Sequence, residues 1–375
     1  MSAAIHGVGS SRFAKQPGRS AADLVAEAVG EALADAGSPA RAIEAAYVGS
    51  CFGEPGIAPR TLHRLGIAGI PIFTVEAACA SGTTAFHLAC EAVAAGRFER
   101  VLALGVEHMT SRFEGAIVPE ARDAEGASGM ALPSLYAMSA SRYLAAGWVS
   151  EEQLALVSVK NHRHALGNPR AQYGGELSVE EVLASRPIAD PLTLLQCCPI
   201  SDAAAAAVLG PPAGGPREVA VRSCATGSGR LWDQRTDRAW GFELVRDVAA
   251  EAFEAAGIGP GDADLFEVHD AFTIGEIVTT EALGLAAEGG GGELVQSGRT
   301  ALGGAQPVNP SGGLLSRGHP LGATGMAQVA EVAWQLRGEA GPRQVEGARV
   351  GVVETMGGGA SGIDGNAAVV AVLGG

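Results

Sequence analysis

Apolar residues recur at helical spacing through Asp23–Phe52, "DLVAEAVGEALADAGSPARAIEAAYVGSCF", until Ala36-Gly37, a helix stop. A short linker and a strand of about five residues follow. The same pattern returns without a gap in Glu243–Phe272, "ELVRDVAAEAFEAAGIGPGDADLFEVHDAF", 220 residues later. Leu24, Val25, Glu31, Ala32, Ala36, Gly37, Val48 and Phe52 meet Leu244, Val245, Glu251, Ala252, Ala256, Gly257, Val268 and Phe272. Two copies of a helix–strand unit so far apart predict a duplicated α/β architecture rather than a solenoid. Arg100–Val106, "RVLALGV", and Arg349–Val353, "RVGVV", read as buried strands. Each copy also has a Gly-rich turn running into an Ala-rich helix, at Cys79–Ala95 and at Gly318–Leu336.

Composition changes between the copies. Roughly Met109–Pro199 holds most of the Tyr residues, several Arg and Pro-containing loops, and reads as an insertion on the first half, suited to covering a site. The expected division is an N-terminal half over 1–214, carrying an inserted loop domain at 109–199, and a C-terminal half over 215–375. A chain of 375 residues exceeds one ordinary core, and a hydrophobic fraction of 47% argues against disorder. Its 54 glycines collect in runs such as Gly289–Gly292 and Gly357–Gly359, where backbone can approach a ligand or another chain closely. A net charge of −15 argues against nucleic acid as a partner. The six cysteines contain no CxxC pair, so neither a zinc site nor a disulfide frame is indicated, and reduced thiols fit a cytoplasmic protein. The start, "MSAAIHGVGSSRF", has no secretory pattern, and no apolar run is long enough to span a bilayer.

The candidate chemistry begins in "VEAACASGTTAFHLAC", Val75–Cys90. Cys79 falls where strand gives way to helix, facing unpaired N–H groups that favour thiolate, and its small neighbours leave room for a carbonyl carbon. The competing reading is a small buried hydrophobe. Cys90, inside the helix, reads as core, and the pair Cys197-Cys198 reads as packed strand rather than redox chemistry. A thiol nucleophile calls for a base. His319, in "VNPSGGLLSRGHPLGATG", and His269, in "FEVHDAF" at a strand's carboxyl end, are the two histidines in suitable surroundings. His162 and His164, in "KNHRHALGNPR", read as surface or loop-contact residues. The glycines of "ETMGGGASG", Glu354–Gly362, allow backbone N–H groups to point at an oxyanion, although a tight turn would look the same.

Together these stretches resemble the thiolase superfamily, specifically the sterol-carrier-protein-type thiolases and related acetyl-CoA acyltransferases. The carriers are "ACASG" with Cys79, "GVEHM", "DPLTLLQCCPISDAAAAAVL", "VHDAF", "NPSGGLLSRGHPLGATG" and the late "GGG", in family order over almost the whole chain. The resemblance implies two βαβαβαββ halves in a five-layer α-β-α-β-α fold, a homodimer, and a loop domain over the active site. It implies Cys79 as the nucleophile that takes an acyl group from a thioester. His319 would activate Cys79 and help bind a thioester oxygen, and His269 would stand where many thiolases have Asn, serving that same oxyanion. The amides of Cys79 and Gly357 would form a second oxyanion hole. Coenzyme A would be a substrate, with no tightly bound cofactor and no metal. Relatives of this type often work with a small OB-fold protein bearing a zinc ribbon.

The family's second cysteine is missing. Its place in the CxGGG motif is Thr355, and its place after His-Asp is Ala271. Three functions follow from this combination. The first is a Cys-dependent acyl-CoA C-acyltransferase that cleaves or forms 3-ketoacyl-CoA by a ping-pong acyl-enzyme route. A retro-aldol lyase acting on a 3-hydroxyacyl-CoA is the second, and a non-catalytic acyl-CoA-binding subunit the third.

Overall fold

The computed structural model describes residues 3–117, 123–232 and 239–375, so part of the inserted region, 118–122, lies outside the described residues. The first half runs β1 (Ala3–Ser10), α1 (Ala21–Asp35), β2 (Ala45–Gly49), α2 (Ile57–Leu62), β3 (Ile72–Val75), α3 (Ser81–Ala94) and β4 (Val101–His108). The insertion follows, with α4 (Ala124–Ala127), α5 (Leu132–Ala145), α6 (Glu151–Ala165), α7 (Val179–Leu183) and a small hairpin of β5 (Pro187–Ala189) and β6 (Leu192–Thr193). β7 (Asp202–Gly210) then completes the half. The second half comprises β8 (Val219–Gly227), α8 (Phe242–Ala256), β9 (Leu265–Glu267), α9 (Thr273–Ala282), α10 (Gly291–Gln296), α11 (Gly313–Arg317), α12 (Leu321–Leu336), β10 (Val350–Gly357) and β11 (Ala367–Gly374).

The repeat seen in the pattern of apolar residues is the repeat of the fold. α1 and α8 both end in a glycine with positive φ, Gly37 at 58° and Gly257 at 69°, a conformation that costs glycine nothing. A 3-10 turn follows each, Ala40–Ala42 and Pro260–Asp262, and then β2 or β9. Nine strands form one sheet in the order β3-β2-β4-β7-β1-β8-β11-β10-β9, the halves meeting through antiparallel β1 and β8. One strand of the second half is reduced to a single rung. Where β3 lies parallel to β2 in the first half, only Val308 bridges Phe266 of β9. Pro307 and Pro310 flank that rung, and proline has no N–H to extend a ladder.

Side-chain alternation sorts the strands into layers. In β7, Ala204, Ala206 and Val208 pack with Leu24, Val25 and Leu62 of α1 and α2, while Ala203, Ala205, Ala207 and Leu209 face Phe86 and Met326 of α3 and α12. In β11, Val369, Ala371 and Leu373 face that same central layer, and Ala368, Val370 and Val372 face Val245 of α8 and Ile277 of α9. Helix and sheet therefore alternate in five layers, with α3 and α12 at the middle. These two helices touch closely at their N-terminal ends, where a side chain on Gly82 would strike the Gly322 carbonyl. The insertion enters between β4 and β7, yet its Tyr136, Tyr143, Leu154 and Val157 share a core with α8 and α9. The chain thus lays its N-terminal insertion over the C-terminal half.

Candidate active site

Cys79 sits between the end of β3 and the start of α3, at the bottom of a tight turn. Ala78, just before it, adopts φ 49°, a left-handed conformation that costs an L-residue about 1–2 kcal/mol. The turn is held by its own groups. Ser81 Oγ accepts from the Ala77 N–H at 2.9 Å and donates to the Ala78 carbonyl at 2.6 Å, and the Ala78 N–H reaches Glu76 Oε1 at 2.7 Å. Glu107 on β4 ties the surroundings together. Its carboxylate accepts from the amides of Cys51, Phe52 and Gly322, joining the loop after β2 to the start of α12.

The expected thiolate preference is outweighed by burial. Burial pushes the Cys79 thiol up to about 12, against the opposing amides of Gly358 and of Cys79 itself; Glu107 and Glu76 raise it further. Among the late glycines it is Gly358 whose amide acts on the thiol. Gly357, one residue earlier, lies so close to the turn that a side chain there would strike the Ala77 carbonyl.

His319 enters from the loop between α11 and α12. Its N–H donates to Ser201 Oγ at 3.1 Å, and Nδ1 lies 2.8 Å from Thr324 Oγ1. The Thr324 hydroxyl donates its only hydrogen to the Pro320 carbonyl, so the network assigns the proton to Nδ1 and leaves Nε2 as the base. Burial first, and then His269 and Arg317, hold the ring well below the ordinary histidine range. His269 follows β9, its ring centre 5.1 Å from that of His319. Neither ring nitrogen of His269 has a protein partner, although the residue is only 3% exposed. Burial lowers it to about 3, so it is a neutral donor rather than a cation near pH 7. Cys79 Sγ and one nitrogen from each ring all lie within 4.8 Å of one another. Among the described residues no other group of His, Cys, Asp or Glu side chains is gathered closely enough to share an ion.

A buried polar network that the sequence patterns did not reveal supports this arrangement. Asp270 accepts from the Leu314 N–H at 2.6 Å and from Asn161 Nδ2 at 2.7 Å, clasping the turn into α11. Gly313, with φ 60°, has no space for a side chain because Asp270 Oδ2 would lie 2.2 Å away. Glu276 accepts from Asn161 and Asn309, and Lys160 pairs with it at 3.0 Å. The signal available in the sequence was the polar pair Lys160-Asn161 on what proves to be the buried face of α6. His162 and His164 are buried too: His164 is bracketed by the Asn309 carbonyl and the Leu302 N–H, a loop contact and not a surface position.

The other cysteines divide. Cys90 is fully buried in α3. Cys197 and Cys198 lie outside the regular strands and keep partial exposure; Cys197 forms one antiparallel bridge with Phe272, and the Cys198 N–H donates to the Ala271 carbonyl at 2.9 Å. The packed strand expected there begins only at Asp202. Thr355 turns away from the thiol and donates to Gln328 of α12 at 2.7 Å. Beside His269 opens a mainly apolar pocket lined by Tyr136, Trp240, Val245, Ile274, Val278 and Met356.

Two family models match the chain: "Thiolase, N-terminal domain" over residues 6–212 and "Thiolase C-terminal domain-like" over residues 228–374. An acetyl-CoA acetyltransferase of Methanothermobacter thermautotrophicus is 44% identical over 370 residues, covering 95% of this chain and 96% of the relative. Sterol carrier protein 2 of Homo sapiens is 39% identical over 379 residues, covering 94% of this chain and 69% of the relative. Among solved structures, the Ltp2-ChsH2(DUF35) aldolase superposes with a TM-score of 0.85 at 26% identity, covering 100% of this chain and 97% of that one.

Proposed function

Because this chain belongs to the thiolase family, we propose that it is an acyl-CoA C-acyltransferase that cleaves or forms 3-ketoacyl-CoA through an acyl group carried on Cys79. The observation that carries this reading is the gathering of Cys79 Sγ and the His269 and His319 rings within 4.8 Å.

In cleavage, His319 Nε2 takes the thiol proton as Sγ attacks the keto carbon. Burial disfavours a thiolate–imidazolium pair and holds both groups toward their neutral forms. The charge therefore develops only when substrate brings an acceptor for it. The carbon–carbon bond breaks with its electron pair passing to a CoA enolate. His269, uncharged and without a protein partner for either nitrogen, is suited to donate to that enolate oxygen, and His319 shares this task. The amides of Cys79 and Gly357 would serve the other oxyanion, on the acyl group, a role supported by the neighbouring Gly358 amide, which already acts on the Cys79 thiol. Free CoA then removes the acyl group from Cys79, and condensation is the same sequence reversed.

The division at 1–214 and 215–375, with the insertion at 109–199 as the cover, belongs to this reading. So does a homodimer, supported by β3, an edge strand that carries the exposed Phe73. A separate OB-fold zinc-ribbon partner belongs to this reading as well, supported by the structural neighbour, an Ltp2-ChsH2(DUF35) aldolase of two named components. Among the described residues no helix is long and apolar enough to cross a membrane; a cytoplasmic location is part of the proposal.

Thiolysis of a panel of 3-ketoacyl-CoAs, followed by mass spectrometry of the Cys79 peptide, tests the assignment. The wild type is expected to turn over and to carry an acyl mass on Cys79, and Cys79→Ala to lose both. Full activity in Cys79→Ala would sink the acyl-enzyme route. The likeness to an aldolase favours retro-aldol cleavage of a 3-hydroxyacyl-CoA as the second reading, and turnover of that substrate without an acylated Cys79 would select it.

A further inference from the structure

A Claisen reaction moves two protons. One leaves the nucleophilic thiol, and the other is exchanged at the carbon that becomes the enolate. The site described above provides for the first through His319 and leaves the second without a carrier. His269, lowered to about 3, is too weak a base. Asp270 is engaged by Leu314 and Asn161, Thr355 faces α12, and Glu354, although its Oε1 has no partner, has no exposure and is anchored through Oε2 to the His269 N–H.

The segment holding Cys198 runs antiparallel to the segment after His269. Cys197 pairs with Phe272, and one step along that register Cys198 lies opposite Ala271, where the 2.9 Å hydrogen bond joins them. Directly opposed residues of an antiparallel pair project from the same face with Cβ atoms about 4.5–5.5 Å apart. Cys198 is thus set against the residue two positions past His269, and its thiol lies near enough to Cys79 and Asp270 for their charges to act on it.

We propose that Cys198 is the proton carrier at the α-carbon, its thiol entering the site across the strand register from Ala271. The proposal rests on the acyltransferase reading and extends it. In cleavage, the Cys198 S–H bond breaks as a C–H bond forms at the enolate carbon, and the electron pair stays on sulfur. The Cys198 thiolate then takes the proton of the incoming CoA thiol, whose sulfur attacks the acyl group on Cys79. Cys79 leaves with its electron pair and takes back its proton from His319, and Cys198 ends the cycle protonated. Desolvation and the nearness of Cys197, Cys79 and Asp270 hold the Cys198 thiol well above its ordinary range, which makes its thiolate the stronger base toward carbon.

The test separates proton transfer at carbon from acyl transfer at sulfur. Wild type, Cys198→Ala, and Cys198→Ala combined with Ala271→Cys are compared in three assays: acylation of Cys79 by acetyl-CoA, deuterium uptake at the acetyl methyl in D2O, and thiolysis of acetoacetyl-CoA. General acid–base groups contribute about 10²–10⁴-fold, so Cys198→Ala is expected to lose deuterium uptake and thiolysis by at least about 100-fold while Cys79 still acylates. Adding Ala271→Cys restores a thiol from the facing segment and is expected to recover at least about tenfold of both. Thiolysis by Cys198→Ala within about threefold of wild type overturns the proposal alone. Should Cys198→Ala also fail to acylate Cys79, the double variant decides, and no recovery overturns the assignment. A wild type that neither acylates nor cleaves overturns the acyltransferase reading, and this proposal with it.

Discussion

Glu354 shows how much buried charge surrounds this site. It lies on β10 with no exposure, Oε2 accepting from the His269 N–H at 2.9 Å and Oε1 without a partner. Burial raises it to about 7, whereas the unfolded chain ionises near the ordinary 4.5. The folded state thus holds more protons than the unfolded one between those values, and stability falls as pH rises through that window. Above about pH 7 the ionised carboxylate costs up to about 3 kcal/mol, and below about 4.5 this contribution vanishes. Glu354→Gln keeps an acceptor for the His269 amide and removes the charge. Its gain in melting temperature over wild type should grow between pH 5 and pH 8, and an equal difference at both pH values would show that burial of the carboxylate is not the cost argued here. At this scale the sequence was readable only in part. Cys79 and His319 announce themselves because each stands among small residues at the end of an element, and His269 because it follows a strand's carboxyl end. Glu354, Lys160 and Cys198 do not, because what gives each its character is a contact across some 70 to 150 residues of chain.

Elements were most legible where burial follows one period. The α1–β2 and α8–β9 units could be read because one stripe of each helix is apolar and each helix ends at glycine. β7 breaks the local rule. Five consecutive alanines, Ala203–Ala207, are the best helix formers known, yet both of their faces are fully buried in a strand between helical layers. Small side chains let those layers approach, and tertiary packing overrides propensity. The rung at Val308 could not be anticipated from the repeat, because the prolines that shorten it lie beyond the aligned stretch. The insertion meets the second half through charge as well as apolar packing. Lys160 of α6 reaches Glu276 of α9 at 3.0 Å and the Val308 carbonyl at 2.9 Å, all buried. Removing one partner of such a pair leaves an uncompensated charge and costs about 3–5 kcal/mol. Lys160→Met should lower the unfolding free energy by that amount, and Lys160→Met with Glu276→Gln should lose distinctly less. Equal losses in urea titrations would mean that the pair is not coupled.

Among the described residues the nine-stranded sheet has two edges, β3 and β9. β9 is short and partly covered by the Val308 rung, whereas β3 is open. Phe73 on β3 is 47% exposed and stacks on Tyr47, with ring centres 5.0 Å apart. An open apolar edge of this kind pairs with another edge unless it is charged. The proposed homodimer therefore predicts that Phe73→Asp halves the mass seen in sedimentation while the far-ultraviolet dichroism is unchanged. Equal masses for variant and wild type would place self-association elsewhere or deny it.

The junction of β1 with β7 and β8 also sets a timetable for making the protein. β1 leaves the ribosome ahead of both partners, and β7 begins at Asp202. At about 5–20 residues per second, this apolar strand waits roughly 10–40 s before anything can pair with its flanks. During that interval Ile5, Val8 and their neighbours form a sticky nascent segment whose fate depends on chaperone supply. Synthesis in a chaperone-poor extract is thus the condition under which this chain is most exposed to aggregation, whatever the stability of the finished fold.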